Sequence, residues 1–320
     1  MSDVTIAQVR EALARIRTRI RATPVMRSDR LDEIAGARVF FKCENLQETG
    51  SFKARGALNT VLSLSDDQAA RGVATHSSGN HGTALAWAAG MRKIPATAVM
   101  PSNASPRKVA SVKSHGGTVI FSEPNHKARE ETAAKFIADT GAHMVHPYND
   151  GRIVAGQGTV ALEFMEEMPD LDVIVCPVGG GGLLAGTAIV AKSLNPKIKV
   201  YAGEPEGAAD TSESFRTKIR TPFPNPKSVA DGLLAFVGDI TFPEIVKHVD
   251  GVATVSEEEI ERAMRLLFDC LEVPVEPSGA VGFAAVAGGK LNVRGKKIGV
   301  IISGGNIDLE RNPWAKASSK

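Results

Sequence analysis

Four short segments carry residue types and spacings suited to chemistry. The first runs Val173-Ile-Val-Cys-Pro-Val-Gly-Gly-Gly-Gly-Leu-Leu-Ala-Gly-Thr187, a β-branched apolar stretch, four glycines and then an Ala-rich helical pattern. Gly179, Gly180, Gly181 and Gly182 let backbone N–H groups converge on an anion, and the positive end of the following helix reinforces them. This is the chemistry of a phosphate cradle, and the phosphate can belong to several cofactors. Gly180, Gly182 and Ala185 also satisfy the GxGxxG/A dinucleotide pattern, with Glu204 near the distance expected of a ribose-binding acid, so a dinucleotide reading stays open on these residues. In the second segment, Glu48-Thr-Gly-Ser-Phe-Lys-Ala-Arg-Gly-Ala57, Lys53 lies between Phe52 and an apolar helix. A lysine held against apolar neighbours loses solvation, its pKa falls, and its amine becomes a usable nucleophile; taken alone, it reads as an ordinary solvated lysine. The third and fourth, Ser77-Ser-Gly-Asn-His-Gly82 and Ser303-Gly-Gly-Asn306, each follow a strand-like run. They put small polar side chains and free N–H groups at strand C-terminal ends, where open α/β sheets bind ligands. His81 by itself reads as a hydrogen-bonded structural histidine.

The elements that must hold these segments are strands alternating with Ala-rich amphipathic helices. Strand-like runs occupy Val39–Cys43, Gly72–His76, Ala96–Met100, Thr118–Phe121, His143–His146, Val173–Pro177, Ile198–Gly203, Val252–Val255 and Ile298–Ser303. This alternation predicts an α/β fold built on parallel sheet. Thr5-Ile-Ala-Gln8 and Ser256-Glu-Glu-Glu259 have the capping-box pattern and predict helix starts. The runs from Gly72 to His146 are short and closely spaced, which predicts a small domain over residues 69–149 inserted into a larger one made of 1–68 and 150–320.

The composition narrows the class. The 320 residues suffice for roughly two domains at about 150 residues each. Lys+Arg number 38 against Asp+Glu 36, interspersed, which argues against nucleic acid as a partner. No apolar run approaches the roughly 18 residues of a membrane span. Cys43, Cys176 and Cys270 are far apart, with no CxxC pair, and read as buried apolar residues in a reducing compartment. With neither a secretory nor a transit pattern at the N-terminus, the expected location is the cytoplasm.

Taken together and in order, Ser51-Phe-Lys-Ala-Arg-Gly56, Ser77-Ser-Gly-Asn-His81, Ala155-Gly-Gln-Gly158, the tetraglycine loop, Glu276-Pro-Ser278 and Ser303-Gly-Gly-Asn306 resemble the fold type II (tryptophan synthase β-like) pyridoxal phosphate enzymes. The resemblance spans nearly the whole chain and is nearest to the branch of serine racemases, serine/threonine dehydratases and 3-hydroxyaspartate dehydratases. The dinucleotide alternative leaves Lys53, the Ser77–Gly82 loop and Ser303 without a job and becomes the runner-up.

The resemblance implies roles. Lys53 would form the Schiff base with pyridoxal 5'-phosphate and act as the general base at Cα. Phe52 would pack by the ring, Asn80 would reach its 3'-oxygen, Gly179, Gly180, Gly181 and Gly182 would hold the phosphate, and Ser303 would face the pyridine nitrogen. A neutral hydroxyl there makes a weaker electron sink than an Asp, which favours elimination over transamination. Ser77, Asn80 and the N–H groups through His81 would take the substrate carboxylate, and Ser78 would serve the opposite face of the substrate. On spacing alone Glu204-Pro-Glu-Gly-Ala-Ala-Asp210 reads as a solvated acidic loop; the resemblance implies a site for Mg²⁺, Mn²⁺ or Ca²⁺ made by Glu204, the Ala208 carbonyl and Asp210. Tyr148 and Ala235 fall in segments that line the side-chain pocket of this family, and Arg129 and Arg152 are candidates for a substrate's second carboxylate, each reading equally well as a surface arginine. The expected activity is dehydration of L-serine, L-threonine or 3-hydroxyaspartate to a 2-oxo acid and ammonia, in a homodimer. Serine racemisation is the alternative within the class, and a non-catalytic amino-acid- or nucleotide-binding module the alternative outside it.

Overall fold

The computed structural model describes residues 4–77 and 79–307. Among these residues ten strands form two sheets: β1 (Val25–Met26), β2 (Arg38–Cys43), β3 (Val73–Thr75), β4 (Ala96–Pro101), β5 (Thr118–Ser122), β6 (His143–Met144), β7 (Val173–Pro177), β8 (Lys199–Pro205), β9 (Gly251–Val255) and β10 (Lys297–Ile302). The larger sheet has the order β1-β2-β10-β7-β8-β9 and the smaller β5-β4-β3-β6. Every pairing is parallel except that of β1 with β2. The chain is therefore mixed α/β with parallel sheets, as the alternation of elements predicts. All nine predicted runs are strands. The unforeseen β1 is a two-residue antiparallel edge, too short to show a period, and β6 is two residues long where four were expected.

Both faces of the larger sheet are buried, and its strands divide their side chains between two cores. Ile174 and Cys176 of β7 join Val200, Ala202 and Ile301 beneath the helices Gly151–Glu167 and Gly182–Leu194. Val173 and Val175 point the other way with Ile298, Val300 and Ile302, against the helices Glu257–Leu271 and Pro277–Ala287. This alternation at period two across a doubly covered sheet is why the run reads as continuously apolar. Cys43 and Cys176 are buried as expected; Cys270, on the partly exposed side of its helix, is only half-buried. Both predicted capping boxes form: Thr5 N donates to Gln8 Oε1 at 2.8 Å and Ser256 N to Glu259 Oε2 at 2.8 Å.

A third core lies on the smaller sheet, joining Ala98 and Met100 of β4 to Leu85 and Ala88 of the helix Asn80–Arg92. It also takes Ala57, Leu58 and Val61 from the helix Lys53–Ser63, and Ile153. We propose that residues 69–149 make up the smaller domain; on that division its core would rest on a face supplied by the larger one.

Three helices approach backbone to backbone at their glycines. A Cβ on Gly156 would stand 2.5 Å from Gly56 Cα, and one on Gly186 would stand 2.7 Å from Gly158 N. Gln157 Oε1 accepts from Gly56 N at 3.2 Å. The Ala155-Gly-Gln-Gly158 motif thus seats the lysine-bearing helix directly on its neighbour.

Candidate active site

Lys53 is the first residue of the helix Lys53–Ser63, and three contacts fix where that helix starts. Ser51 bridges Gly304, Phe52 N donates to Ser303 O at 3.1 Å, and Arg55 is fully buried between two carboxylates. Arg55 Nε and Nη2 donate to Glu44 at 2.8 Å each, and Nη1 and Nη2 donate to Glu163 at 2.8 and 2.7 Å. Thr23 Oγ1 donates to Glu44 at 2.6 Å, and Lys42 Nζ lies 3.4 Å from Glu163. Burial works against the ionised form of Glu44, but Arg55 outweighs it and holds this carboxyl below its ordinary range. Sequence reasoning missed this network; its signal was Arg55, two residues past Lys53.

The Lys53 amine donates to Pro147 O at 2.8 Å and stands 5.1 Å from the Phe52 ring centroid. Burial pulls it down to about 8, against the opposing charge of Glu276. Pro147 belongs to the loop after β6, whose shape is set by His146: its Nδ1 accepts from Tyr148 N at 3.3 Å and Asn149 N at 2.9 Å. Burial and the nearby Lys53 charge push His81 well below the ordinary imidazole value, so its ring is neutral. His81 Nε2 therefore carries the proton and donates to Val145 O at 3.1 Å, while Nδ1 meets no partner among the described residues.

The helix Asn80–Arg92 begins near Lys53, with Gly79 as its N-cap and the half-buried Ser77 just before. Asn80 Nδ2 donates to Glu276 Oε1 at 2.7 Å, and Asn306 Nδ2 donates to Asn80 Oδ1 at 2.9 Å. Burial, with Asp231 adding to it, lifts Glu276 to about 7. The Ser303 hydroxyl is buried just past β10, 3.4 Å from Ser278 O. Ser78 lies outside the described residues.

The tetraglycine loop joins β7 to the helix Gly182–Leu194 and lies against the loop after β6. Gly181 caps that helix at φ +86°, a left-handed conformation that favours glycine. A Cβ on Gly180 would run into the Tyr148 ring, and one on Gly179 would meet Leu233 Cα at 2.8 Å. Among the described residues, none of the N–H groups from Gly179 through Leu184 donates to a protein acceptor. Buried N–H groups are rarely left so, and a bound dianion would satisfy them together at a helix N-terminus.

On the strand next to β7, Glu204 is the last residue but one of β8, and Asp210 starts the helix Asp210–Thr217. Glu204 accepts from Thr211 N and Ser212 N at 2.8 Å each, and Asp210 from Val237 N at 3.0 Å. Burial and then the neighbouring Asp210 push Glu204 up to about 8, and burial pushes Asp210 up to about 6. Two such carboxylates fit a hard divalent cation, with the buried Ala208 of the intervening turn close by in the chain. No group of three or more His, Cys, Asp or Glu side chains suited to a metal occurs among the described residues, so any further ligands would come from carbonyls or water.

The two candidate arginines separate clearly. Arg152 is bound by Asp150 at 2.8 Å and by His143 Nε2 at 2.9 Å. Arg129, on the helix His126–Thr140, has a buried Nε with no partner among the described residues, and its charge is felt by Tyr148.

Residues 16–304 match the sequence profile of the family described as pyridoxal-phosphate dependent enzyme. The chain belongs to that family. It is 47% identical over 300 residues to a beta-hydroxyaspartate dehydratase of Paracoccus denitrificans (strain Pd 1222), covering 94% of this chain and 95% of the other. It is 48% identical over 309 residues to a serine racemase of Arabidopsis thaliana, covering 95% and 93%. A solved structure of maize serine racemase superposes with a TM-score of 0.95 at 42% identity, covering 99% of this chain and 98% of the other. Membership in the pyridoxal-phosphate dependent enzymes implies that cofactor, and a small amino acid is a substrate consistent with the family. It removes the dinucleotide alternative and makes these fold type II relatives the expected ones. No described helix is long and apolar enough to cross a membrane.

Proposed function

We propose that the protein is an ammonia-lyase that dehydrates 3-hydroxy amino acids, with 3-hydroxyaspartate as the favoured substrate and L-serine and L-threonine as lesser ones. The observation that carries this reading is Arg129, whose buried Nε lacks a partner among the described residues and whose charge is felt by Tyr148, the ring that rests on Gly180 of the tetraglycine loop. A second substrate carboxylate would supply that partner, whereas the side chains of serine and threonine would not. The kinship to a beta-hydroxyaspartate dehydratase supports the same choice.

Pyridoxal phosphate, when bound, supplies the electron sink for a carbanion at Cα. Its phosphate would take the N–H groups of the 179–184 segment, its ring would lie by Phe52 and Asn80, and Ser303 would meet its pyridine nitrogen. Lys53 would both carry the cofactor and take the Cα proton at Nζ, a task suited to an amine that burial lowers to about 8. The carboxylate on Cα would sit at the start of the helix Asn80–Arg92, on the N–H groups from Ser77 to His81. Glu204, Asp210 and the Ala208 carbonyl would hold a divalent cation that offsets the repulsion between the two buried carboxylates.

The assay is 2-oxo acid and ammonia release from 3-hydroxyaspartate diastereomers, L-serine and L-threonine, with D-serine formation followed in parallel. Arg129→Gln should raise KM for 3-hydroxyaspartate at least tenfold and leave L-serine dehydration within about threefold. Equal effects on both substrates would remove Arg129 from the reading. Ser78 and the serine racemase relatives favour a second reading, racemisation; conversion of L-serine mainly to D-serine with little pyruvate would establish it instead.

A further inference from the structure

We propose that Thr241 is a positioning residue for the phosphate cradle, fixing the direction of one peptide plane in the tetraglycine loop. Thr241 is fully buried at the start of the helix Thr241–His248 and far in sequence from the glycines. Its Oγ1 donates to Gly180 O at 2.8 Å and accepts from Gly238 N at 2.9 Å. Gly238 N also reaches Gly180 O, at 3.3 Å. The hydroxyl has one proton, and the shorter contact to Gly180 O takes it in preference to Gly238 O at 3.3 Å.

The consequence follows from peptide planarity. The Gly180 carbonyl and the Gly181 N–H belong to one trans peptide and point in opposite directions. Drawing the carbonyl to Thr241 aims the Gly181 N–H away from Thr241, and that N–H is one of those of 179–184 with no acceptor among the described residues. Gly181 must also be glycine for this contact: its left-handed φ aside, a Cβ there would stand 2.8 Å from Thr241 Oγ1. Thr241 is in turn anchored from the other sheet. Ile240 N donates to Asn149 Oδ1 at 2.8 Å, and Asn149 N to His146 Nδ1 at 2.9 Å, in the same loop whose Pro147 carbonyl receives the Lys53 amine. The loop after β6 therefore addresses both ends of the cofactor site, Lys53 directly and the cradle through Thr241.

This inference rests on the reading that residues 179–182 hold the cofactor phosphate. Without the hydroxyl, Gly180 O keeps only the longer Gly238 bond, and the peptide is free to turn its carbonyl toward the dianion. The test compares Thr241→Val, which keeps the shape and loses the hydroxyl, with Thr241→Ser, which keeps the hydroxyl. Apoprotein is titrated with pyridoxal phosphate and, separately, with pyridoxal, and the phosphorus resonance of the loaded protein is recorded. Thr241→Val should weaken pyridoxal phosphate binding about tenfold, shift the phosphorus resonance and leave pyridoxal binding within about twofold; Thr241→Ser should restore affinity and resonance. Equal losses for pyridoxal and its phosphate, or a serine variant no better than valine, would reduce Thr241 to a packing residue. Gly180→Ala separates the two layers of the argument. If it weakens phosphate binding and Thr241→Val does not, the inference fails alone; if neither does, the cradle reading fails with it.

Discussion

Arg55→Met tests the buried network that seats Lys53. The substitution keeps an unbranched side chain and removes the four short charged hydrogen bonds to Glu44 and Glu163. Glu44 is then a fully buried carboxylate left with the Thr23 hydroxyl as its donor, and breaking a buried pair in this way costs about 3–5 kcal/mol. Glu163 retains partial exposure and Lys42, so its share is below about 1 kcal/mol. About 4 kcal/mol at pH 7.5 is a large part of the roughly 5–15 kcal/mol typical of a domain. The pH dependence carries the sharper signature. In the native chain Glu44 sits below its ordinary value of 4.5, so its contribution is present above that pH and is lost only as pH falls through the lowered folded value. In the variant burial dominates and raises Glu44, so stability falls as pH rises above about 4.5, by up to about 1.4 kcal/mol per unit. Urea unfolding of the apoprotein at pH 5 and pH 7.5 measures both quantities, and Glu44→Gln combined with Arg55→Met should recover at least about 2 kcal/mol at the higher pH. A single-variant loss under about 1 kcal/mol, or one equal at both pH values, would refute the assignment of Arg55 as the counter-charge of Glu44.

Borohydride reduction of the loaded protein followed by peptide mapping should label Lys53, and Lys53→Ala should lose both the label and nearly all turnover. Mg²⁺, Mn²⁺ or Ca²⁺ should raise Tm more at pH 8 than at pH 6, because Glu204 and Asp210 are held up to about 8 and about 6 and must ionise to bind; without the cation their contribution to stability is present at low pH and is lost as pH rises from their ordinary values of 4.5 and 3.8 to those raised ones. A Tm shift independent of pH would count against both ligands. Gly156→Ala drives a methyl into the backbone at Gly56 and should cost at least about 1–3 kcal/mol in urea unfolding. Ser78→Ala should abolish proton exchange on the D-face, followed by deuterium uptake from solvent, and largely spare dehydration of the L-substrate.

The strands were legible because each central one is a β-branched run between turn residues, and the helix starts because Thr5/Gln8 and Ser256/Glu259 are adjacent in sequence. The edge strand β1 was not, since two residues carry no alternation. In the site, the segments that could be read were those whose chemistry is local: four consecutive glycines, or a lysine against a phenylalanine. What escaped were contacts between distant segments. Arg55 reaches Glu163 and Thr241 reaches Gly180 only after the sheets have formed, and neither residue type announces such a partner. Arg129 and Arg152 look alike as sequence; Asp150 and His143, brought beside Arg152 by the turn into its helix, tell them apart.

The backbone contacts at Gly56, Gly156, Gly158 and Gly186 also determine which parts of this protein can be redesigned. An ordinary core can absorb a swapped leucine because neighbouring side chains rotate to fill or clear the space. Where one Cα rests on another there are no rotamers to adjust, so the separation between the lysine and the tetraglycine loop, each carried by one of these helices, is written in main-chain geometry. Arg129, on the helix His126–Thr140, stands outside that stack, whereas the Tyr148 ring rests on Gly180. An engineer can therefore exchange Arg129 while the reach from the amine to the tetraglycine loop stays the same, whereas a change at Tyr148 touches the segment that meets both.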